Sequence, residues 1–421
     1  MALTDRRLFI RALASLPLAA SCLAESVPNR IEVAAFPAID AVIKAAAQDL
    51  APNAALGPIV VTSREFFDHH TALVTAMAGG SHIPDLVAIE LSYLGRFMHG
   101  SALQVLEVPQ ANERIIPFAF KQGLDATGQL RAMPVDIAPA TLFYRQDALL
   151  QAGIQETRLI ASFDELVESG RIIKARTGRF LLTHARDLKD ILIRTGLSAG
   201  EGVFISESDD VLVETPRFQK AFQLSLKVRQ LELDARAKAW SSEWAEHLRR
   251  GSVVAHLMGS WFAGHLANWL APKSVGLWRC TALPGGASTV LGGTFLAIPR
   301  GAKNPRAAQR LLEELTFSSQ RQLRAFRDHQ SFPVLLSAYS DPFFNQPIAY
   351  LGNQLARKIW LDQTLKLQQL PLHPIDAIAS EIIDTALDDV LMNGVAIPDA
   401  LRDAGALIRT RMHHWKATQR V

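Results

Sequence analysis

Cysteine is nearly absent from this 421-residue chain, which holds only Cys22 and Cys280. Two cysteines build neither a disulfide framework nor a cysteine-based zinc site. Long apolar runs are missing as well. The stretch Ala12–Ala24 holds thirteen residues and no later run reaches 18 uncharged apolar residues, whereas a membrane span takes about 20. Charge of one sign is not in excess, because 44 basic side chains face 41 acidic ones and leave +3. A charge-driven nucleic-acid binder is thereby excluded. Neither a P-loop nor a G-x-G-x-x-G occurs, so no phosphate or dinucleotide cradle is expected. What is present is a core: 49% of residues are apolar and 20% charged. That composition excludes wholesale disorder, and the length suits about two or three domains at ~150 residues each.

The N-terminus reads as an export signal over residues 1–25. Arg6, Arg7 and Arg11 precede the apolar stretch, and small residues follow it. The segment Asp5–Arg11 resembles the twin-arginine signal; an ordinary Sec signal is the alternative. Lipidation at Cys22 is the less favoured reading, since Ala19 stands where lipoprotein signals usually have Leu. Cys280 is then expected to be a buried, idle thiol.

Strands and helices alternate through the rest. Arg30–Phe36, Ile59–Thr62 and Asp85–Ile89 read as strands, with Ile39–Leu50 and Phe66–Met77 as helices between them. That rhythm predicts an α/β fold with a mostly parallel sheet. Ser162-Phe-Asp-Glu165 is a capping box, Thr215-Pro216 and Asn304-Pro305 open helices, and Ser319–Gln322 caps another. Pro374–Met392 reads as a helix stopped by Asn393-Gly394, and Pro398 opens the last one.

Catalytic motifs reduce to one decoy. Gly196-Leu-Ser-Ala-Gly200 matches the nucleophile elbow, which needs a strand before the serine and a helix after it. Here Asp187–Arg194 reads as a helix before it and Gly202–Ser206 as a strand after it, so Ser198 is not expected to be catalytic. The pairs His69-His70 and His413-His414, and the trio His247, His256 and His265 spaced by nine, lack metal-ligand spacing. No catalytic residue, metal or cofactor is expected.

Six blocks carry a resemblance. They are Ile83–Ile89 with Leu94 and Leu103–Leu106; Met133–Asp136 with Thr141–Asp147; and Ala152–Ile154 with Ser162–Leu166. Next come Arg250–Trp261, then Leu283–Gly286, and finally Gly292–Ile298 with Asn304–Ala308. In this order the chain resembles the family 1 extracellular solute-binding proteins, the sugar-binding receptors of ABC importers. The resemblance implies two α/β lobes of the type II periplasmic-binding-protein kind, closing on a ligand by hinge motion. It places one lobe at residues 26–136 plus 290–334 and the other at 137–289 plus 335–421. Crossings are expected near Asp136–Ala140, Ser288–Gly292 and Ser331–Ser337.

The same resemblance proposes ligand-binding residues. Trp261 stands at the family's cleft tryptophan, where an indole suits the apolar face of a sugar; a core tryptophan is the alternative. Asp136 stands at the family's acidic crossover position, where a carboxylate accepts sugar hydroxyls; a helix cap or hinge salt bridge is the alternative. Glu90 and Phe36 end strands at the carboxyl edge, where open α/β sheets bind ligands. Gly292 and Gly293 let backbone approach the ligand. Arg186, beside His184, offers a fork for carboxylate or phosphate, or is a surface arginine. His373 and Asp376 stand near a family contact position that here lacks an aromatic, which argues for a small ligand. The implied protein is a monomeric periplasmic receptor for a sugar, sugar acid or polyol, working with ABC permease subunits and binding no nucleic acid. An exported enzyme or a ligand sensor for a signalling kinase remains open.

Overall fold

In Ile31–Ala35 (β1) only Glu32 interrupts an apolar run, and the strand is buried along nearly its whole length. The computed structural model describes residues 30–51, 56–80, 82–100, 102–198 and 200–418. The export signal, with Arg6, Arg7, Arg11 and Cys22, lies outside the described residues. After β1 come α1 (Ile39–Leu50), β2 (Ile59–Ser63), α2 (Phe66–Gly79), β3 (Leu86–Glu90) and α3 (Leu91–Met98). Helix α1 buries Ile39, Ile43, Ala46 and Leu50, the one-face stripe of a helix lying on a sheet. Gly80 closes α2 in the left-handed conformation at φ 64°.

Four more strands complete the sheet: β4 (Met133–Arg145), β5 (Ala255–Gly259), β6 (Trp278–Thr281) and β7 (Val290–Ala297). Their order is β2-β1-β3-β7-β4-β5, with β6 also on β4. The expected parallel pairing holds for β2-β1-β3. It does not extend further, because β3–β7, β7–β4, β4–β5 and β4–β6 all pair antiparallel. Strand β7 reaches the sheet by a crossing from the other half, so no right-handed βαβ connection sets its direction.

The 13-residue β4 is the structural seam. Its Met133–Pro139 segment faces β7, whereas Ala140–Tyr144 faces β5. Register shifts fall at Pro134/Asp136 and Ile137/Pro139, where the prolines have no N–H to give the ladder. Two other expected crossings meet β4 here. The Ala140 N–H donates to Thr289 O at 2.9 Å, and the Ile137 N–H donates to Phe332 O at 3.2 Å. Three sequence-distant segments thus converge on Ile137–Ala140.

Helix ends follow the expected chemistry with one shift. Ser162 accepts from the Glu165 N–H at 3.0 Å, and Pro216–Gln230 and Pro305–Phe317 start on proline. Helix Ser319–His329 is capped by Ser318 and not Ser319; the Ser318 hydroxyl accepts from the Arg321 N–H at 3.3 Å. Helices Asp376–Asn393 and Ile397–Thr418 close the fold, the former ended by Gly394 at φ 69°. Among the described residues no helix is long and apolar enough to cross a membrane. Cys280 is fully buried, and burial pushes its thiol up.

The strand expected at Gly202–Ser206 is absent; only an isolated bridge, Ile205 to Val211, forms there. The reason is Arg217, whose guanidinium takes the carbonyls of Ile193, Gly202 and Val203 and pairs with Glu201 at 3.0 Å. Those carbonyls are thereby spent on an arginine fork. Ser198 is left on an exposed loop, its N–H donating to Glu201 Oε2 at 3.0 Å.

Candidate site at the seam between the two halves

The site is organised by two glycines. Gly292 and Gly293, the third and fourth residues of β7, sit at φ 106° and φ 149°, values that side chains rarely tolerate. A Cβ on Gly292 would lie 3.6 Å from Ala138 Cβ, 3.7 Å from Trp261 Nε1 and 4.0 Å from Glu90 Oε1. Groups from β3, β4 and the segment after β5 therefore meet over one bare peptide. Gly293 faces the other way, and its Cβ would lie 3.3 Å from Asp136 O.

Trp261 is half-buried, and its indole N–H donates to Leu291 O at 3.1 Å. Its donor is spent on the seam, which leaves stacking as its contribution. Trp240 lies nearly parallel to it, with ring centroids 5.9 Å apart and planes 24° apart. Trp240 is 58% exposed and sits at φ 72°, left-handed backbone that a bulky residue rarely adopts. Sequence reasoning missed it. The available signal was position: Trp240 precedes Ser241, the cap of helix Ser242–Arg250, and packs on Trp244 at 5.1 Å.

Glu90 caps α3, its Oε2 accepting from the Ser92 N–H at 2.9 Å and from the Ser92 hydroxyl. Burial pushes its carboxyl up, while Ser92 and the nearby Arg194 pull it down. The Glu90 N–H donates to His70 Nε2 at 3.1 Å, and His70 Nδ1 meets Phe66 O at 2.8 Å. We assign the proton to Nδ1, because Nε2 must accept. Tyr93 stacks flat on His70 at 4.1 Å. Phe36, 7% exposed, packs behind them against Phe66 and His70, both at 5.4 Å. It buttresses the α3 entrance and does not line it.

Asp136 is a fastener in this geometry. Oδ1 accepts from the Thr294 N–H and Oδ2 from the Ser331 hydroxyl, each at 2.7 Å. The carboxylate thus ties β4 to β7 and to the segment around Ser331, through a backbone N–H and a hydroxyl and not through the helix cap or salt bridge expected as the alternative. Burial raises its pKa, with both hydrogen bonds opposing. Asp136→Ala strands a backbone N–H and a hydroxyl, so a stability loss of about 1.5–3 kcal/mol is expected in urea melts. Asp136→Asn should stay within about 1 kcal/mol, because its amide oxygen accepts from Thr294 and the Ser331 hydroxyl reverses to accept.

Two expected residues stand apart from the seam. Arg186 is consumed by helix Asp376–Asn393, pairing with Asp384 at 3.1 Å and Asp388 at 2.8 Å. Asp388 also binds Lys238 at 3.2 Å. His184 Nδ1 accepts from the Arg186 N–H at 3.1 Å. His373 is 8% exposed and packs on Trp415 at 5.6 Å, with Nε2 3.3 Å from Asp209. Its backbone carbonyl abuts Gly95 of α3, where a Cβ would come within 2.8 Å. Among the described residues no group of three or more His, Cys, Asp or Glu could hold a metal.

The α/β architecture, with three distant segments converging on Ile137–Ala140, is that of a two-lobed binding protein. The chain belongs to the family of bacterial extracellular solute-binding proteins, whose family model matches residues 54–351. It is similar to an arabinooligosaccharide-binding protein of Halalkalibacterium halodurans, 22% identical over 372 residues, 84% of this chain and 82% of that one. A lactose-binding protein of Rhizobium radiobacter is 25% identical over 288 residues, 65% of this chain and 66% of the other. Among solved structures, the sugar-binding protein MalE of Xanthomonas citri superposes with TM-score 0.76 at 18% identity, covering 93% of this chain and 99% of that one. The galacto-N-biose/lacto-N-biose I-binding protein of Bifidobacterium longum, solved with lacto-N-biose, gives TM-score 0.76 at 16% identity over 92% and 97%. These likenesses establish the two-lobed fold.

Proposed function

We propose that this protein is an exported receptor that captures a carbohydrate between its lobes and hands it to an ABC importer. The observation that carries the reading is the convergence of Glu90, Trp261 and Gly292 at the seam, with Trp240 exposed alongside. A carboxylate beside stacked indoles suits the mixed polar and apolar surface of a sugar. The relatives named for lactose and for arabino-oligosaccharides support the same class. Trp240 adds a second ring to the platform, so the ligand is a sugar of more than one ring and not the small ligand expected from the region of His373. Residues 26–136 with 290–334 form one lobe and 137–289 with 335–421 the other. Residues 1–25 direct export to the periplasm through Arg6-Arg7, and the protein acts as a monomer without catalysis. Ligand touching both lobes favours the closed state, which is the differential affinity that closure needs.

Thermal melts with lactose, lacto-N-biose, maltose and arabino-oligosaccharides test the reading. A bound sugar at a hundred times its Kd adds about 2.7 kcal/mol, several degrees of melting temperature. If no sugar raises the melting temperature, the receptor reading falls.

A further inference from the structure

Beside the seam lies a cavity of about 260 Å³ lined by Phe118, Arg194, Leu197, Thr289, Lys366 and Leu370. It is a little smaller than typical small-molecule sites of ~300–1,000 Å³. Its polar groups are short of partners. The Thr289 hydroxyl is buried, in a residue 3% exposed, and has no hydrogen-bond partner among the described residues. Arg194 Nη1 donates to Asp190 O at 2.9 Å, but Nε and Nη2 make no hydrogen bond among the described residues. The Asp190 carboxylate, 3.9 Å from Arg194, is already bound by Lys189. Lys366 is exposed and forms no ion pair among the described residues.

We infer that this cavity receives the anionic group, carboxylate or phosphate, of an acidic sugar whose ring rests at the seam. The inference rests on the carbohydrate-receptor reading and specifies its substrate class. A guanidinium edge, an ammonium and a hydroxyl donor are the set that holds carboxylate or phosphate oxygens. Phe118, Leu197 and Leu370 supply apolar walls that exclude water and strengthen those contacts. Distance permits one ligand to use both places. Val290 also lines the cavity, and Gly292 stands two residues along the same strand. At ~3.3 Å per residue that is within about 7 Å. The acid fork that Arg186 was expected to provide is thus supplied by Arg194, eight residues on.

The charges facing Arg194 fit. Glu90 at the entrance of α3, Asp190 on its own helix and Asp376 on the penultimate helix oppose it, and Arg217 faces it with like charge. Arg217 is paired with Glu201. Burial pushes Asp376 up to about 7 and raises Glu90. Below neutrality Asp376 is protonated and Arg194 is left for the ligand. Above it the Asp376 carboxylate competes, so anion affinity should fall as pH rises from 6 to 8.

Calorimetry on the mature protein with 4-galactobiose against digalacturonate, and cellobiose against cellobiouronate and cellobiose 6′-phosphate, tests this. At least one acid should bind ten-fold or more tightly than its neutral partner. Lys366→Gln, at an exposed position, should weaken that acid about ten-fold and spare the neutral sugar. Arg194→Gln should do the same, and Thr289→Val should weaken the acid without lowering the melting temperature. Inorganic phosphate separates the sources: a shift with phosphate marks a phosphate site, and a shift with uronates alone marks a carboxylate site. Neutral sugars binding as well as their acids, or Lys366→Gln and Arg194→Gln both leaving the acid unchanged, overturns the inference while the receptor reading stands. If no sugar binds, both fall.

Discussion

Trp240→Ala is expected to weaken sugar binding by about 10- to 100-fold while moving the melting temperature by no more than a degree or two. Trp261→Ala is expected to cost both, with affinity falling about 30- to 700-fold. Their surroundings separate them. Trp240 is 58% exposed and buries little, so truncation gives up little beyond its contact with Trp244, and the strain at φ 72° is unchanged because Ala keeps the Cβ that causes it. Its loss removes an open stacking face at about 1–3 kcal/mol, and 1.4 kcal/mol is a decade in Kd. Trp261 wedges between strands: a Cβ on Gly259 would come within 2.5 Å of its Nε1, and that N–H holds Leu291 O. Truncating it leaves a void and an unpaired carbonyl in the seam, and a buried aromatic anchor carries about 2–4 kcal/mol of binding. Titration calorimetry with a sugar found by melting, beside melts of the free variants, checks both. Wild-type affinity in Trp240→Ala would remove the two-ring platform, and Trp261→Ala that melts early yet binds normally would make that indole core alone.

Local features are legible in the sequence. Strands β1 to β3, the cap at Ser162 and the glycine stops at Gly80 and Gly394 follow from periodicity and backbone chemistry within a few residues. Trp261 and Glu90 lie together over Gly292, while Gly293 faces Asp136 on the other side. Most of the misses are long-range. Asp136 looks like a free carboxylate until Thr294 and Ser331, 158 and 195 residues away, take both oxygens. Arg186 is quenched by acids 198 and 202 residues on. The strand expected after Ser198 loses its carbonyls to Arg217, and no pattern in Gly202–Ser206 reports that. Strand β7 carries no mark of its direction, since an apolar run reads alike in parallel and antiparallel pairing. Trp240 depends on a left-handed backbone that its residue type disfavours, so propensity points away from it.

Acid should destabilise this protein from about pH 6.5 downward, through its buried histidines. Burial holds His70, His184 and His373 down to about 4 and His256 to about 3, and it also lowers His69, His99 and His265. The geometry gives the cause. His70 Nε2 accepts from the Glu90 N–H, His256 Nε2 accepts from the Trp244 indole at 3.1 Å, and His373 Nδ1 accepts from the Ile375 N–H at 3.3 Å. A proton on any of those nitrogens destroys the bond. Each folded pKa lies below the unfolded ~6.5, so this contribution is complete above pH 6.5 and is lost as pH falls toward 4. Four carboxyls work the other way. Asp187 and Asp376 are pushed up to about 7, and Glu90 and Asp136 are raised; they take up protons in the folded state over the same range. Between pH 6 and 5 the four imidazoles held at about 4 or below give the unfolded chain nearly four more protons and Asp187 and Asp376 return two to the fold, so the unfolded chain binds about two more. At 1.36 kcal/mol per proton per pH unit, that is roughly 2–3 kcal/mol per unit. Urea midpoints at pH 7.5, 6.5, 5.5 and 4.5 should therefore decline steeply below 6.5. His256→Gln keeps an acceptor for the Trp244 indole and removes one titrating ring, so its decline should be shallower by about one proton. Midpoints that stay level or rise between pH 6.5 and 4.5 would show that these rings are not held neutral by the fold.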